Sequence, residues 1–281
     1  MPNTLLTKIE DGIMTITLNR PDQLNSFNVE MMEELISAYE YADSNNDVRV
    51  IIVTGNGRAF CAGMDLTTGD DVFASNEPGE LFRDTGGRVS MVVHSLKKPV
   101  IAAINGAAVG IGITMTLPMD IRIVKKDAKI GFVFGRRGIG PEAASGWFLP
   151  KLVGISKALE WLLTGRMLTT SEVLEAGLVQ YEVEDPYSKA LEIAREIADN
   201  TSAVSNAFSR KLLWSMLGSN HPMESHLLES KFLHWVGASK DAKEGINSFM
   251  EKRPAKFEMN AQDLPDFFEG GKTNHDKHAS Y

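Results

Sequence analysis

The sequence predicts an α/β chain, and three features carry that reading. Residues 48–54 and 100–104 are nearly continuous apolar runs, the pattern of strands buried on both faces of a largely parallel sheet. Small residues around glycine follow each run, at Ala59-Phe60-Cys61-Ala62-Gly63 and at Asn105-Gly106-Ala107-Ala108-Val109-Gly110-Ile111-Gly112. From Ser156 onward helical periodicity dominates.

Taken in order, residues 4–9 and 13–19 alternate apolar and polar positions around Asp11-Gly12, so the chain opens with a β-hairpin. Residues 19–27 read as an ordered loop. Asn28 then caps a helix whose apolar Met31, Met32, Leu35, Ile36 and Tyr39 recur at helical spacing. The strand over 48–54 ends in Gly55-Asn56-Gly57, and the polar stretch 67–85 reads as a flap. A helix over 87–96 precedes the strand over 100–104. Residues 103–117 then read as a strand, a glycine-rich turn and an apolar helix. The first N–H groups of that helix have no partner within it and suit an anion. Alternatively, the glycines make room for a close crossing in the core.

Strands over 119–124 and 128–132 follow. A helix is then expected to begin at Pro141-Glu142, where a carboxylate complements the helix dipole, and to end near Val153-Gly154. Helices over 156–164 and 170–176, a strand over 178–183 and helices near 187–199, 203–217, 222–236 and 239–251 complete the pattern. No repeat of solenoid period is visible. The expected division is a core over 1–200, a helical region over 201–256 and a loosely held tail over 257–281.

With 29 basic against 37 acidic residues, the net charge of −8 argues against nucleic acid or an anionic membrane as the main partner. The lone Cys61 has no internal disulfide partner, and Met1-Pro2-Asn3-Thr4 lacks the marks of a signal peptide, so a cytoplasmic location is expected. No apolar run approaches the roughly 18 residues of a membrane span. The His221, His226 and His234 positions lack metal-ligand spacing, so no metal is expected.

Two segments, Gly57-Arg58-Ala59-Phe60-Cys61-Ala62-Gly63-Met64-Asp65-Leu66 and Asn105-Gly106-Ala107-Ala108-Val109-Gly110-Ile111-Gly112, resemble the signatures of the crotonase superfamily, the enoyl-CoA hydratase/isomerase family. Leu18-Asn19-Arg20-Pro21-Asp22-Gln23-Leu24-Asn25-Ser26 and the run from Leu168 to Val179 match it as well, so the resemblance spans roughly residues 5 to 255. It implies a crotonase-like ββα spiral core with a C-terminal helical trimerisation region, a homotrimer or dimer of trimers, and an acyl-CoA thioester as substrate, with no other cofactor. By position in the motifs, the backbone amides of Met64 and Ile111 are the donors to the thioester oxygen. Losing one such donor costs hydrolases about 3 to 4 kcal/mol. Gly110 and the start of its helix add to the same stabilisation. The resemblance also places the CoA moiety against Gln23, Leu24, Asn25, Ala62 and Gly63, with Lys211 and, from an adjacent subunit, Phe249 and Lys252 at its adenine and phosphates.

The acid–base groups depart from the hydratase pattern. Where hydratases of the family carry two glutamates, this sequence has Thr114 and Phe134. The carboxylate that remains is Glu142, at the position that resembles the catalytic glutamate of peroxisomal-type Δ3,Δ2-enoyl-CoA isomerases and the nucleophilic aspartate of chlorobenzoyl-CoA dehalogenases. Apolar neighbours such as Ile139, Ala143, Trp147 and Phe148 disfavour its charged form, which suits a proton shuttle. The leading expectation is an isomerase-type reaction. The alternatives are a hydratase using Glu142 with Asp84 as a second acid, and a non-catalytic acyl-CoA binding protein.

The resemblance places Arg83, Asp84 and Arg88 just before the helix that roofs the pocket, where each is a candidate contact for the acyl group. Arg136 and Arg137 are candidate partners of Glu142 or of carboxylates of a neighbouring subunit. Asp65 is expected to hold a loop or helix start, Cys61 to fill space, and His94 to be structural.

Overall fold

The structure is a computed structural model that describes residues 4–69 and 82–268. Asp11 and Gly12 take φ of 50° and 77°, the pair of positive values a tight primed turn requires, and fold β1 (Leu5–Glu10) antiparallel onto β2 (Ile13–Leu18). The Asn28 side chain accepts the Met31 N–H and starts α1 (Val29–Ser44), which buries Met31, Met32, Leu35 and Tyr39.

Three ββα units follow. They are β3 (Val50–Gly55), β4 (Ala59–Cys61) and α2 (Thr85–Ser95); β5 (Val100–Ile104), β6 (Ala107–Val109) and α3 (Ile111–Thr114); and β7 (Ile121–Lys125), β8 (Ile130–Gly131) and α4 (Ser145–Val153). The first strand of each unit enters a six-stranded sheet, ordered β1-β2-β3-β5-β7-β10 with β10 at Tyr181–Val183. The second enters a four-stranded sheet, ordered β4-β6-β8-β9 with β9 at Met167–Leu168. This is the crotonase-type architecture the motifs implied. The first strands of the units start 50 and then 21 residues apart, so the repetition has no fixed period to read in sequence.

The unbroken apolar runs have a direct cause. Successive side chains of a strand face opposite ways. Ile51, Val53, Ala102 and Ile104 enter the main core with α1 and α2, whereas Val50, Ile52, Ile101 and Ala103 meet Ala190, Ala194 and Ala198 of α7 (Pro186–Asn200). Helices α5 (Ile155–Thr164) and α6 (Thr170–Glu175) precede α7; α8 (Ala203–Met216), α9 (Pro222–Val236) and α10 (Lys240–Glu251) complete the chain. Buried Arg210 fastens α8 to the core: it pairs with Asp120 at 2.9 Å and donates to the carbonyls of Val93, His94 and Leu96 at the end of α2.

Four expectations are corrected. Residues 59–61 and 107–109 form short strands where turns of small residues were expected. The apolar helix after Gly110 is a single turn, because Met115 to Pro118 continue as turns. The helix expected from Pro141 begins at Ser145, since Ala143 and Ala144 take φ of 57° and 54° and break it. Residues 257–268 are packed rather than loose: Ala261 and Leu264 are buried, and Phe267 and Phe268 join Phe208 and Phe232 of the C-terminal helices. Residues 269–281 of the expected tail lie outside the described residues, as does most of the expected flap. Among the described residues, no helix is long and apolar enough to cross a membrane.

Candidate active site

Strands β4 and β6 pair in parallel and end side by side. Beyond β4, Gly63 turns at φ 116° and Met64 forms a bridge with Phe27. The bridge uses Gly63 O and Asp65 N, so the Met64 N–H points away from Phe27. Beyond β6, Gly110 takes φ 55° and ψ −124°, a region closed to side chains with a Cβ, and turns the chain into α3. Ile111 thereby becomes the first residue of that turn, with its N–H outside the turn's own hydrogen bonds. Met64, Gly63, Gly110 and Ile111 all line one cavity, of about 640 Å³ including its mouth. Because α3 is one turn long, the expected dipole contribution reduces to the N–H groups themselves.

Glu142 lines the same cavity from the loop before α4 and is the one acidic residue among the described residues that do so. Withdrawal from water raises its pKa to about 7, aided by the Asp84 charge and opposed by a hydrogen bond from Thr114. Thr114, fully buried on α3, donates its hydroxyl to Glu142 Oε1. The other oxygen rests against the roof helix α2: a Cβ on Gly86 would lie 2.1 Å from Glu142 Oε2 and 2.4 Å from Ile111 Cδ1. Gly86 therefore leaves the space that the carboxylate fills.

Asp84 does not line the cavity. It caps α2, and its Oδ1 accepts the N–H groups of Gly87 at 2.5 Å and Ala143 at 3.0 Å, which ties the roof helix to the residue after Glu142. Arg83 and Arg88 are exposed. Arg136 donates to Thr164 O, and Arg137 lines the cavity; neither is bonded to Glu142. His94 stands between the rings of Trp147, Phe148 and Trp214 and away from the cavity. Burial and the Arg210 guanidinium lower its pKa. Cys61 is buried, its thiol pushed up to about 12 by loss of solvent.

Of the residues expected at the CoA moiety, Ala62 and Gly63 line the cavity, and Ala62 N–H donates to Leu24 O, so the Gln23-Leu24-Asn25 loop is fixed beside it. The Asn25 side chain is completely buried and engaged by Arg20 N, Asn56 O and Ala59 O, so it holds the loop from within. The Arg20–Asp65 ion pair at 2.7 Å braces the same region, and Asp65 caps the turn that follows it. Lys211 lies on α8 near the Phe268 ring, while Phe249 and Lys252 are exposed on and just past α10; none of the three lines the cavity.

Sequence reasoning missed Gly86, the Thr114 bond, and Leu66, Val133 and Phe134 as cavity lining. The Gly86-Gly87 pair in the first turn of a helix was a usable signal, since glycine there costs helix stability without an evident local reason. Among the described residues, no group of three or more His, Cys, Asp or Glu could hold a metal ion.

The chain matches the family described as enoyl-CoA hydratase/isomerase over residues 8–260. It is 42% identical over 251 residues to enoyl-CoA hydratase AKT3-2 of Alternaria alternata, covering 88% of this chain and 83% of that protein. It is 32% identical over 269 residues to the 1,2-epoxyphenylacetyl-CoA isomerase of Escherichia coli (strain K12), covering 92% and 99%. A crystal structure of a probable enoyl-CoA hydratase/isomerase from Mycobacterium abscessus is similar at TM-score 0.84 and 35% identity, covering 90% of this chain and 98% of that one.

Proposed function

Because the chain belongs to the enoyl-CoA hydratase/isomerase family of enzymes, we propose that it isomerises an enoyl-CoA thioester, with Glu142 as its single proton shuttle. The observation that carries this reading is Glu142, the one acidic side chain among the described residues that line the cavity with Met64 and Ile111, its pKa raised to about 7 by burial. The thioester oxygen accepts the N–H groups of Met64 and Ile111. Glu142 removes a proton from C2, the C–H pair moves into a dienolate, and the same carboxyl returns the proton at C4, so the double bond moves from C3 to C2. A carboxyl with a pKa near the working pH serves both steps. The relative named as an epoxyphenylacetyl-CoA isomerase supports isomerase chemistry on a CoA thioester.

The relative named as a hydratase favours a second reading, water addition with Glu142 activating the water and Asp84 as a second acid. The commitment of Asp84 to two backbone N–H groups weighs against it. The CoA moiety is assigned to Gln23, Leu24, Ala62 and Gly63, with Lys211 and a neighbouring subunit's copies of Phe249 and Lys252 at its far end. Exposed Leu233, Ile246, Phe249 and Met250 on α9 and α10 support assembly into a homotrimer or a pair of trimers.

Mixing the purified protein with 3-enoyl-CoA and following the absorbance of the conjugated 2-enoyl product tests the reading. Glu142→Gln is expected to lower kcat by about 10³-fold, within the range for loss of a positioned acid–base group. Undiminished turnover by that variant removes Glu142 from the mechanism, and a 3-hydroxyacyl-CoA formed from 2-enoyl-CoA selects the hydratase reading.

A further inference from the structure

The Thr114 hydroxyl faces two acceptors. One is Glu142 Oε1, and the other is the carbonyl oxygen of Gly110 at 3.2 Å. It carries one proton and therefore makes one full bond at a time. The Gly110 carbonyl and the Ile111 N–H belong to the same peptide group. That carbonyl already accepts the N–H groups of Ile113 and Thr114; a further hydrogen bond from the hydroxyl polarises the amide more and strengthens its N–H as a donor, an effect of about 10–30% per bond.

We propose that Thr114 couples the proton on Glu142 to the oxyanion donor at Ile111. The inference rests on Glu142 being the proton shuttle. An ionised Glu142 is the stronger acceptor and holds the Thr114 proton. When Glu142 takes the substrate's α-proton it becomes a donor; its O–H turns to Thr114 Oγ, and the threonine proton turns to Gly110 O. The C–H bond breaks, its electron pair enters the enolate, and the proton stays on Glu142. At that moment the Ile111 N–H is strengthened toward the charge that has just formed. Return of the proton to carbon resets the pair. Thr114 acts through its neighbours and is a positioning residue.

Other groups act on the same carboxyl. Asp84, at the start of α2, raises the Glu142 pKa by its charge; the Cys61 thiol interacts with it electrostatically; and Arg137 lines the cavity from the turn after β8. None of these is bonded to both the carboxyl and the Gly110 peptide, so removing only the hydroxyl isolates the coupling. Thr114→Val keeps the branched shape and deletes the donor, and Thr114→Ser keeps the donor.

The test uses a saturated acyl-CoA labelled with ¹³C at the thioester carbonyl, bound to the full-length protein and read by difference infrared spectroscopy across pH 5 to 9. In the wild type and Thr114→Ser, the carbonyl stretch is expected at lower wavenumber when Glu142 is protonated, following a single titration. In Thr114→Val that pH dependence disappears. The α-proton exchange rate at saturation falls about tenfold, one pKa unit's worth of stabilisation, with KM within twofold of wild type and the acid limb displaced to higher pH. A pH-independent stretch in the wild type, or an unchanged titration in Thr114→Val, overturns the coupling. Failure of the acyl-CoA to bind, or exchange that persists in Glu142→Gln, overturns the functional reading instead.

Discussion

In the proposed reaction, the charge-stabilising half of the site is made of backbone at the ends of β4 and β6, whereas across the cavity the proton-moving half hangs on one side chain. The Met64 and Ile111 N–H groups stand where two paired strands stop, fixed by sheet register and by the conformations of Gly63 and Gly110. Glu142 stands on an irregular loop between Gly140 and α4, held by Thr114, by the space at Gly86 and by the Asp84 bond to Ala143. The first half tolerates changes of side chain and resists changes of backbone. The second depends on the three residues that hold its carboxylate in place.

The sharpest way to break this contrast is at Gly110. Its conformation excludes a Cβ although nothing lies within 4 Å of one, so the damage in Gly110→Ala comes from backbone rotation that swings the Ile111 N–H away. Steady-state kinetics are expected to show kcat lowered by about 10²-fold or more, as for loss of an oxyanion donor. Next is Gly86→Ala. Its methyl meets the side-chain ends of Glu142 and Ile111, which can move aside, and Ala143 Cβ at 3.2 Å, which must give by a few tenths of an ångström, so the melting temperature falls only modestly. The carboxylate is displaced, and kcat falls by about 10²-fold, the usual penalty for a misplacement near 1 Å.

A third comparison separates charge from chemistry. The Glu142 pKa is raised from 4.5 to about 7 in the folded chain, so the protonated form favours folding. That contribution is complete below about pH 4.5 and is lost as pH rises through about 7. Above that pH the ionised carboxylate is carried at a cost of about 3 kcal/mol, reduced by residual solvent contact. Glu142→Gln is therefore expected to gain about 1–3 kcal/mol in urea unfolding at pH 8 and to match the wild type at pH 4.5. The smallest effect belongs to Met64→Leu, which keeps the N–H and nearly the side-chain volume; kcat/KM within about threefold of wild type is expected.

The same contrast decides what could be read from sequence. Glycines and small residues after an apolar run mark a strand end whatever packs around it, so the two strand ends and the parallel sheet were legible, whereas the donor positions at Met64 and Ile111 came from the motif resemblance. Strands β4 and β6 were not, because three residues between glycines show no alternation. Glu142 was legible as the carboxylate left once Thr114 and Phe134 replaced the two expected acids. Its support was not, since Thr114, Gly86 and Asp84 meet it from 28, 56 and 58 residues away. The helix start expected at Pro141-Glu142 failed because the left-handed turns at Ala143 and Ala144 depend on tertiary contacts, among them the Asp84 bond to Ala143 N.

The central claim is that one carboxyl, titrating near neutrality, moves the proton. Exchange of the α-proton of a bound acyl-CoA with deuterated water, followed against pH in the wild type and Glu142→Gln, tests it most directly because it detects the enolate whatever the final product. The ionised form is the base, so wild-type exchange should be lost as pH falls through about 7 and should be absent at every pH in the variant. Exchange by Glu142→Gln at the wild-type rate would contradict the account.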